Sequence, residues 1–175
     1  MAEGRREEEA RAVRRGPALI FATVGSHPTF RFDRLLRALE TIADRELVVQ
    51  FGPGEPPAGA REAVAWMTLE EIVDHMDRAS HVVSHAGVGT ILCAIQTGHV
   101  PIVLPRQQRF GETVDDHQLE FARAIEKTEH VIVVEDAEQL SSALRSAPPK
   151  GAVDPPGGTG LIDAVRDELT QARLR

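Results

Sequence analysis

One cysteine, one tryptophan and no tyrosine stand among 175 residues. With Cys93 alone no internal disulfide framework can form, which fits a reducing cytosol. Cations are short too: 20 Lys and Arg face 27 Asp and Glu, a formal net charge of −7. A chain without surplus cations has little with which to displace counterions from a phosphate backbone, which argues against a nucleic-acid partner. Long apolar runs are missing as well. Met1–Gly16 carries five Arg and four Glu and lacks the apolar centre of a secretory leader. Nowhere does an apolar stretch approach the roughly 20 residues of a membrane span, so any membrane contact is expected to be indirect. His75, His81, His99 and His130 match no metal-ligand spacing, and neither metal nor other cofactor is expected.

What is present reads as one ordinary globular domain, with 42% hydrophobic and 27% charged residues. Residues 1–16 are expected to form a charged flexible arm. Ala18–Val24 and Leu47–Phe51 are apolar runs closed by glycine, the pattern of strands buried on both faces. Between them Phe32, Leu35, Leu36, Leu39 and Ile42 recur at helical spacing. Ala63–Trp66 suggests a short third strand with Trp66 in the core, and Thr68-Leu69-Glu70-Glu71 has capping-box spacing. The helix it opens should bury Leu69, Ile72, Val73 and Met76. Strand His81–Ser84, helix Thr90–Thr97 stopped by Gly98, strand Pro101–Leu104, helix Asp116–Glu126 and strand Val131–Glu135 follow. Asp136 is placed to cap a short helix carrying Leu140, Ala143 and Leu144. Such alternation predicts an α/β domain over 17–145 with a doubly wound parallel sheet of about six strands. Residues 146–159 hold four prolines and three glycines and read as a linker. Leu161, Ile162, Val165 and Leu169 then mark an amphipathic terminal helix over 160–175, which must dock on the domain, meet a partner or lie on a membrane.

A doubly wound sheet binds ligands at the carboxyl ends of its strands, and three stretches fall there. Gly25-Ser26-His27 is either a tight turn or a ligand loop. In His85-Ala86-Gly87-Val88-Gly89-Thr90, a strand-end histidine can donate to a phosphate oxygen and the glycines admit close approach. The helix opening there presents N–H groups, and Thr90 offers a cap and a hydroxyl. The alternative is a structural strand-to-helix turn. It is neither a P-loop nor a dinucleotide fingerprint, for it lacks the Gly-Lys-Ser/Thr of one and the third glycine of the other. Asp115-Asp116-His117-Gln118 can read sugar hydroxyls, or simply cap the following helix.

Thr23-Val24-Gly25, Gln50-Phe51-Gly52, Ser84-His85-Ala86-Gly87-Val88-Gly89-Thr90-Ile91-Leu92, Pro101-Ile102-Val103-Leu104-Pro105 and Asp116-His117-Gln118-Leu119-Glu120-Phe121-Ala122 occur in that order. Over roughly residues 18–145 they resemble the carboxyl-terminal half of GT-B glycosyltransferases. The likeness is strongest to the small, donor-binding subunit of two-part transferases of the dolichol and exopolysaccharide pathways. It implies a UDP-sugar donor whose diphosphate contacts His85 and Gly87, Val88, Gly89 and Thr90. It sets Gly25 and Ser26 across the cleft, Met67 near the uracil, and His117 and Gln118 near the transferred sugar. Arg106 or Arg109 would add to the diphosphate clamp. It implies transfer onto a lipid-linked glycan or polysaccharide precursor, with the acceptor half on a membrane-anchored partner subunit. The chain is thus expected to be cytoplasmic, peripherally membrane-associated through that partner, and inactive without it. No general base is evident; His27 is positioned to be considered, but a base on the partner is favoured. Larger relatives carry a ribose-binding glutamate where Cys93 stands, which leaves a non-catalytic accessory subunit as the alternative. A free-standing nucleotide-sugar enzyme such as an epimerase is disfavoured, because it closes its cleft between two domains of one chain.

Overall fold

The structure, a computed structural model, describes residues 18–42 and 45–152. The arm expected at 1–16, the terminal helix at 160–175 and the second half of the expected linker lie outside the described residues. Six strands form one all-parallel sheet: β1 (Leu19–Thr23), β2 (Glu46–Gln50), β3 (Glu62–Val64), β4 (His81–Ser84), β5 (Ile102–Val103) and β6 (Ile132–Val133). Their order across the sheet is β3-β2-β1-β4-β5-β6. The chain therefore works outward from β1 to one edge, returns to β4 beside β1, and works outward to the other edge. That reversal between β1 and β4 opens a crevice at the carboxyl ends of the two strands.

Among the described residues five α-helices cover the sheet: α1 (Asp33–Glu40), α2 (Leu69–Arg78), α3 (Val88–Gln96), α4 (His117–Glu126) and α5 (Leu140–Ser146). Side chains alternate across each strand, so one run of apolar residues feeds two cores. From β1, Ile20 and Ala22 pack with Leu35 and Leu39 of α1 and Leu140 and Leu144 of α5. Phe21 points the other way, onto Met76 of α2 and Ala94 of α3. Val103 continues that second face under Ile91, Ile95, Phe121 and Ile125.

Several boundaries shift. The third strand is shorter and earlier than Ala63–Trp66, and Trp66 is 48% exposed rather than buried. Thr68 and Glu71 do form the capping box of α2, but Leu69 is 66% exposed. It is the first residue of the helix, and of the four expected to be buried only Met76 is fully so, with Ile72 and Val73 half-buried. The helix expected from Thr90 begins two residues earlier, with Gly87 as its N-cap. Asp136 precedes a short 3₁₀ turn, Ala137–Gln139, without a side-chain cap. His99 is 5% exposed and its Nε2 lies 2.8 Å from the Met76 carbonyl. Beyond α5 the chain folds back on the domain. Lys150 Nζ reaches Asp77 Oδ1 at 2.7 Å and Gly151 N donates to Gly98 O at 2.8 Å.

A buried polar lock fixes the carboxyl ends of β1, β2 and β3 relative to one another. Thr23 Oγ1 donates to Gln50 Oε1 (2.6 Å) and accepts from Gly25 N (3.1 Å). Gln50 Nε2 donates to Gly25 O (3.1 Å) and Ala65 O (2.8 Å). Thr23→Val would strip Gln50 Oε1 of its donor and Gly25 N–H of its acceptor in a dry site. The variant should lose about 1–3 kcal/mol in urea denaturation at pH 7; unchanged stability would show the lock to be dispensable.

Candidate functional site

The crevice between β1 and β4 is a cleft of about 440 Å³, lined by residues of the β1–α1 loop, the β5–α4 loop, His85 and Gln118. Gly25, Ser26 and His85 meet there, as the strand order requires. Gly87, Val88, Gly89 and Thr90 form the adjoining turn that opens α3. A larger open groove of about 870 Å³ runs along the outer side of α1 past Arg31, Arg37, Thr41 and Ser141, and holds none of the expected residues. We place the site in the smaller cleft because the sheet's reversal and the strand-end polar groups converge on it.

The His85 ring is wedged between two glycines. A Cβ on Gly87 would stand 2.2 Å from His85 Nε2, and one on Gly25 would stand 2.6 Å from Cε1. No side chain fits at either position while the imidazole is there. Gly25 is further fixed by its φ of +86°. Burial, and after it the positive charge of Arg106, push the His85 imidazole down to about 4. At pH 7 it is neutral, a hydrogen-bonding group rather than a fixed cation. Its Nδ1 is buried without a protein partner among the described residues, and so is the hydroxyl of Ser84 directly before it.

The opening of α3 is arranged unlike that of α2. At α2, Thr68 and Glu71 satisfy the first N–H groups and supply a negative charge. At α3 the N-cap is glycine, no side chain caps the turn and no acid occupies it. Its first N–H groups and the positive end of the helix dipole are left without a side-chain partner two residues beyond His85, next to the cleft lining rather than in it, and Thr90, inside the helix rather than at its cap, lies half-buried beside them. This is an arrangement that favours an anion.

The other candidates divide. Gln118 lines the cleft, and its Oε1 accepts from Arg106 N at 3.3 Å. His117 stands out in solvent, 3.8 Å from both Asp115 and Glu120 carboxylates. Both aspartates before it are engaged: Asp115 Oδ1 accepts from His117 N (3.1 Å) and Asp116 Oδ1 from Gln108 N (2.8 Å). They hold the loop and the first residue of α4, while Asp116, at the N-cap, makes no side-chain bond to the helix. Met67 and Cys93 are each partly buried against the Phe21–Met76 cluster, and neither lines the cleft. Arg106 lines the cleft, but its guanidinium is spent on four backbone carbonyls. Arg109 lies over the Phe110 ring at 4.6 Å. His27 Nδ1 accepts from Thr29 N (3.2 Å) and Phe30 N (3.3 Å). In the neutral ring Nε2 then carries the proton, so the outward nitrogen is a donor and His27 is poorly set up as a base. Among the described residues no group of three or more His, Cys, Asp or Glu is placed to hold a metal ion.

The Glycosyltransferase family 28 C-terminal domain matches residues 19–152 of the chain. The chain belongs to that family. Among curated proteins, this family 28 domain is 25% identical over 112 residues to a UDP-N-acetylglucosamine transferase subunit, ALG13, of Yarrowia lipolytica. The match takes in 60% of the chain and 55% of that relative, so the chain spans about half its length. Two solved structures share the fold at 20% identity. One is the glycotransferase of kitacinnamycin, with a TM-score of 0.55 over 91% of this chain and 39% of that one. The other is MurG of Acinetobacter baumannii, with a TM-score of 0.52 over 74% and 42%. The chain is thus the α/β carboxyl-terminal domain of a GT-B glycosyltransferase family, as its ordered motifs imply.

The neutral state of His85 has a consequence for stability. The unfolded chain binds a proton on this imidazole near pH 6.5, the native chain near 4. Between those values the unfolded state holds more protons, so stability is full above about pH 6.5 and falls as pH drops toward 4. His81 and His99, also held low chiefly by burial, act in the same direction. The His85 share amounts to about 3 kcal/mol at completion. His85→Gln should therefore lose less stability than wild type between pH 7 and pH 4.5, measured by urea denaturation at each pH. Parallel losses would show that His85 is not held neutral.

Proposed function

We propose that this domain is the donor-binding subunit of a UDP-sugar-dependent glycosyltransferase that acts on a lipid-linked glycan or polysaccharide precursor. The observation that carries the reading is the convergence of His85, the Gly25–Ser26 turn and the uncapped opening of α3 at the strand-order reversal. Membership in family 28 and the likeness to a UDP-N-acetylglucosamine transferase subunit support it. In this reading the donor's diphosphate lies against the α3 opening. The first-turn N–H groups and His85 stabilise the charge that grows on the departing nucleotide as the glycosidic bond breaks. Gln118 offers its amide N–H groups to the sugar, His117 stands at the rim, and Met67 marks the side toward which the base lies.

The domain supplies one wall of a cleft. A membrane-anchored partner subunit supplies the facing wall, seats the lipid-linked acceptor, excludes water and carries the general base. Orientation of the attacking hydroxyl by that wall is worth several kcal/mol of barrier. The chain would then sit at the cytoplasmic face of a membrane, held there through its partner, and would transfer hexose only in the complex. Trp66, Leu69 and Val114, all strongly exposed and close to the carboxyl edge of the sheet, suit burial against such a partner. The accessory-subunit reading draws on Cys93, whose thiol is a poor substitute for a carboxylate toward a ribose diol.

Titration calorimetry separates the two. UDP should bind the purified chain while uridine binds hardly at all, and His85→Ala should weaken UDP by about 1–3 kcal/mol. No UDP binding by wild type would favour the accessory subunit. Co-expression with a candidate partner should move the chain to the membrane fraction and enable transfer from UDP-sugar, whereas transfer by the chain alone would overturn the two-subunit reading.

A further inference from the structure

Arg106 follows β5 by three residues and is 3% exposed. Its Nη2 donates to Val24 O at 2.8 Å. Its Nη1 lies within hydrogen-bond distance of Phe30 O (3.1 Å), Arg31 O (3.2 Å) and Glu112 O (2.9 Å). The guanidinium plane is backed by the buried Phe32 ring at 4.7 Å, and the residue's own N–H donates to Gln118. Val24 and Arg31 bracket the loop that carries Gly25, Ser26 and His27, while Glu112 begins the opposite wall of the cleft.

We infer that Arg106 is a positioning residue: its guanidinium pins both ends of the 25–31 loop to the 112–114 wall and so sets the opening through which the donor's phosphates enter. The inference rests on the donor-binding reading above. A planar fork with five N–H groups suits this task, because it reaches carbonyls on separate segments at once. An ammonium is a single point and cannot span them. A guanidinium buried at this depth is costly unless it is hydrogen-bonded all round, and its partners here are backbone groups of the cleft walls themselves. Two ionisable groups face it: Glu112, whose charge favours the guanidinium, and His85, whose protonation it opposes. One side chain thus sets the width of the site and adds its charge to the burial that keeps the histidine neutral.

The test uses the full chain with R106K and R106Q, read three ways. UDP affinity is measured by calorimetry, amide exchange of residues 25–31 by NMR, and the His85 titration midpoint from its Cε1–H signal. Both variants should bind UDP at least tenfold more weakly, with faster exchange in the loop and unchanged protection in β1 and β4. R106Q, having lost the charge, should also raise the His85 midpoint, while R106K leaves it near wild type. Should R106Q fail to fold, R106K carries the test through loop exchange and affinity. Wild-type affinity and wild-type loop exchange in R106K would overturn the inference. Weakened UDP binding with unaltered loop exchange would overturn it too, since Arg106 would then act on the ligand directly. If wild type itself binds no UDP, the donor-binding reading fails. The exchange and titration arms still decide whether Arg106 sets the cleft.

Discussion

A parallel sheet ends, at its carboxyl edge, in carbonyls that no further strand can receive. Such groups must find donors wherever loops bury them. In this domain the donors are a small set of side chains, and the loops of the site hang from them. Gln50 takes the carbonyls of Gly25 and Ala65, beyond β1 and β3. Arg106 takes that of Val24. Arg34 takes those of Pro105 and Glu135, beyond β5 and β6, while its other N–H groups hold the Glu112 carboxylate at 2.8 and 3.0 Å. Glu112 in turn accepts from Gln107 N. The Phe32 ring lies under both guanidiniums. The crevice between β1 and β4 is open because its rim is held by these bonds instead of closing on itself.

This division also explains what the sequence disclosed. Buried strands such as Leu47–Phe51 are continuous apolar runs ended by glycine, a local signal, and β2 falls within one residue of the expected span. The α2 capping box is likewise local, with Thr68 and Glu71 three residues apart. The donors that hold the rim act across 71 to 101 residues of chain from Arg34 and up to 82 from Arg106. No short window of sequence joins Arg34 to its two carbonyls or Arg106 to Val24, Phe30 and Arg31, so in the sequence a buried arginine reads as any surface cation available to a ligand. Trp66 and Leu69 mislead for the opposite reason. Their apolar character is local, but whether anything covers them depends on where the sheet edge falls.

The site itself was legible in outline because glycine and histidine at a strand end are unusual company. The fold brings Gly25 and Gly87 against the same imidazole, a relation between residues 62 positions apart that the motif alone does not reveal. Cys93 stands where larger relatives are expected to carry a ribose-binding glutamate, and the fold packs it, partly buried, against the Phe21–Met76 cluster.

The wedged ring ties three positions together in evolution as well as in space. Gly87 has an ordinary backbone conformation, with φ of −81°, and the three atoms nearest a Cβ there all belong to the His85 ring. Gly25 is barred twice, by the ring and by its left-handed φ. A descendant that replaced His85 with a small residue would therefore remove the ring's clash at position 87, while its left-handed φ still held position 25 to glycine. A descendant that first gained a side chain at 87 would have to expel the imidazole. The order in which these positions can change is thus fixed by the volume of one ring.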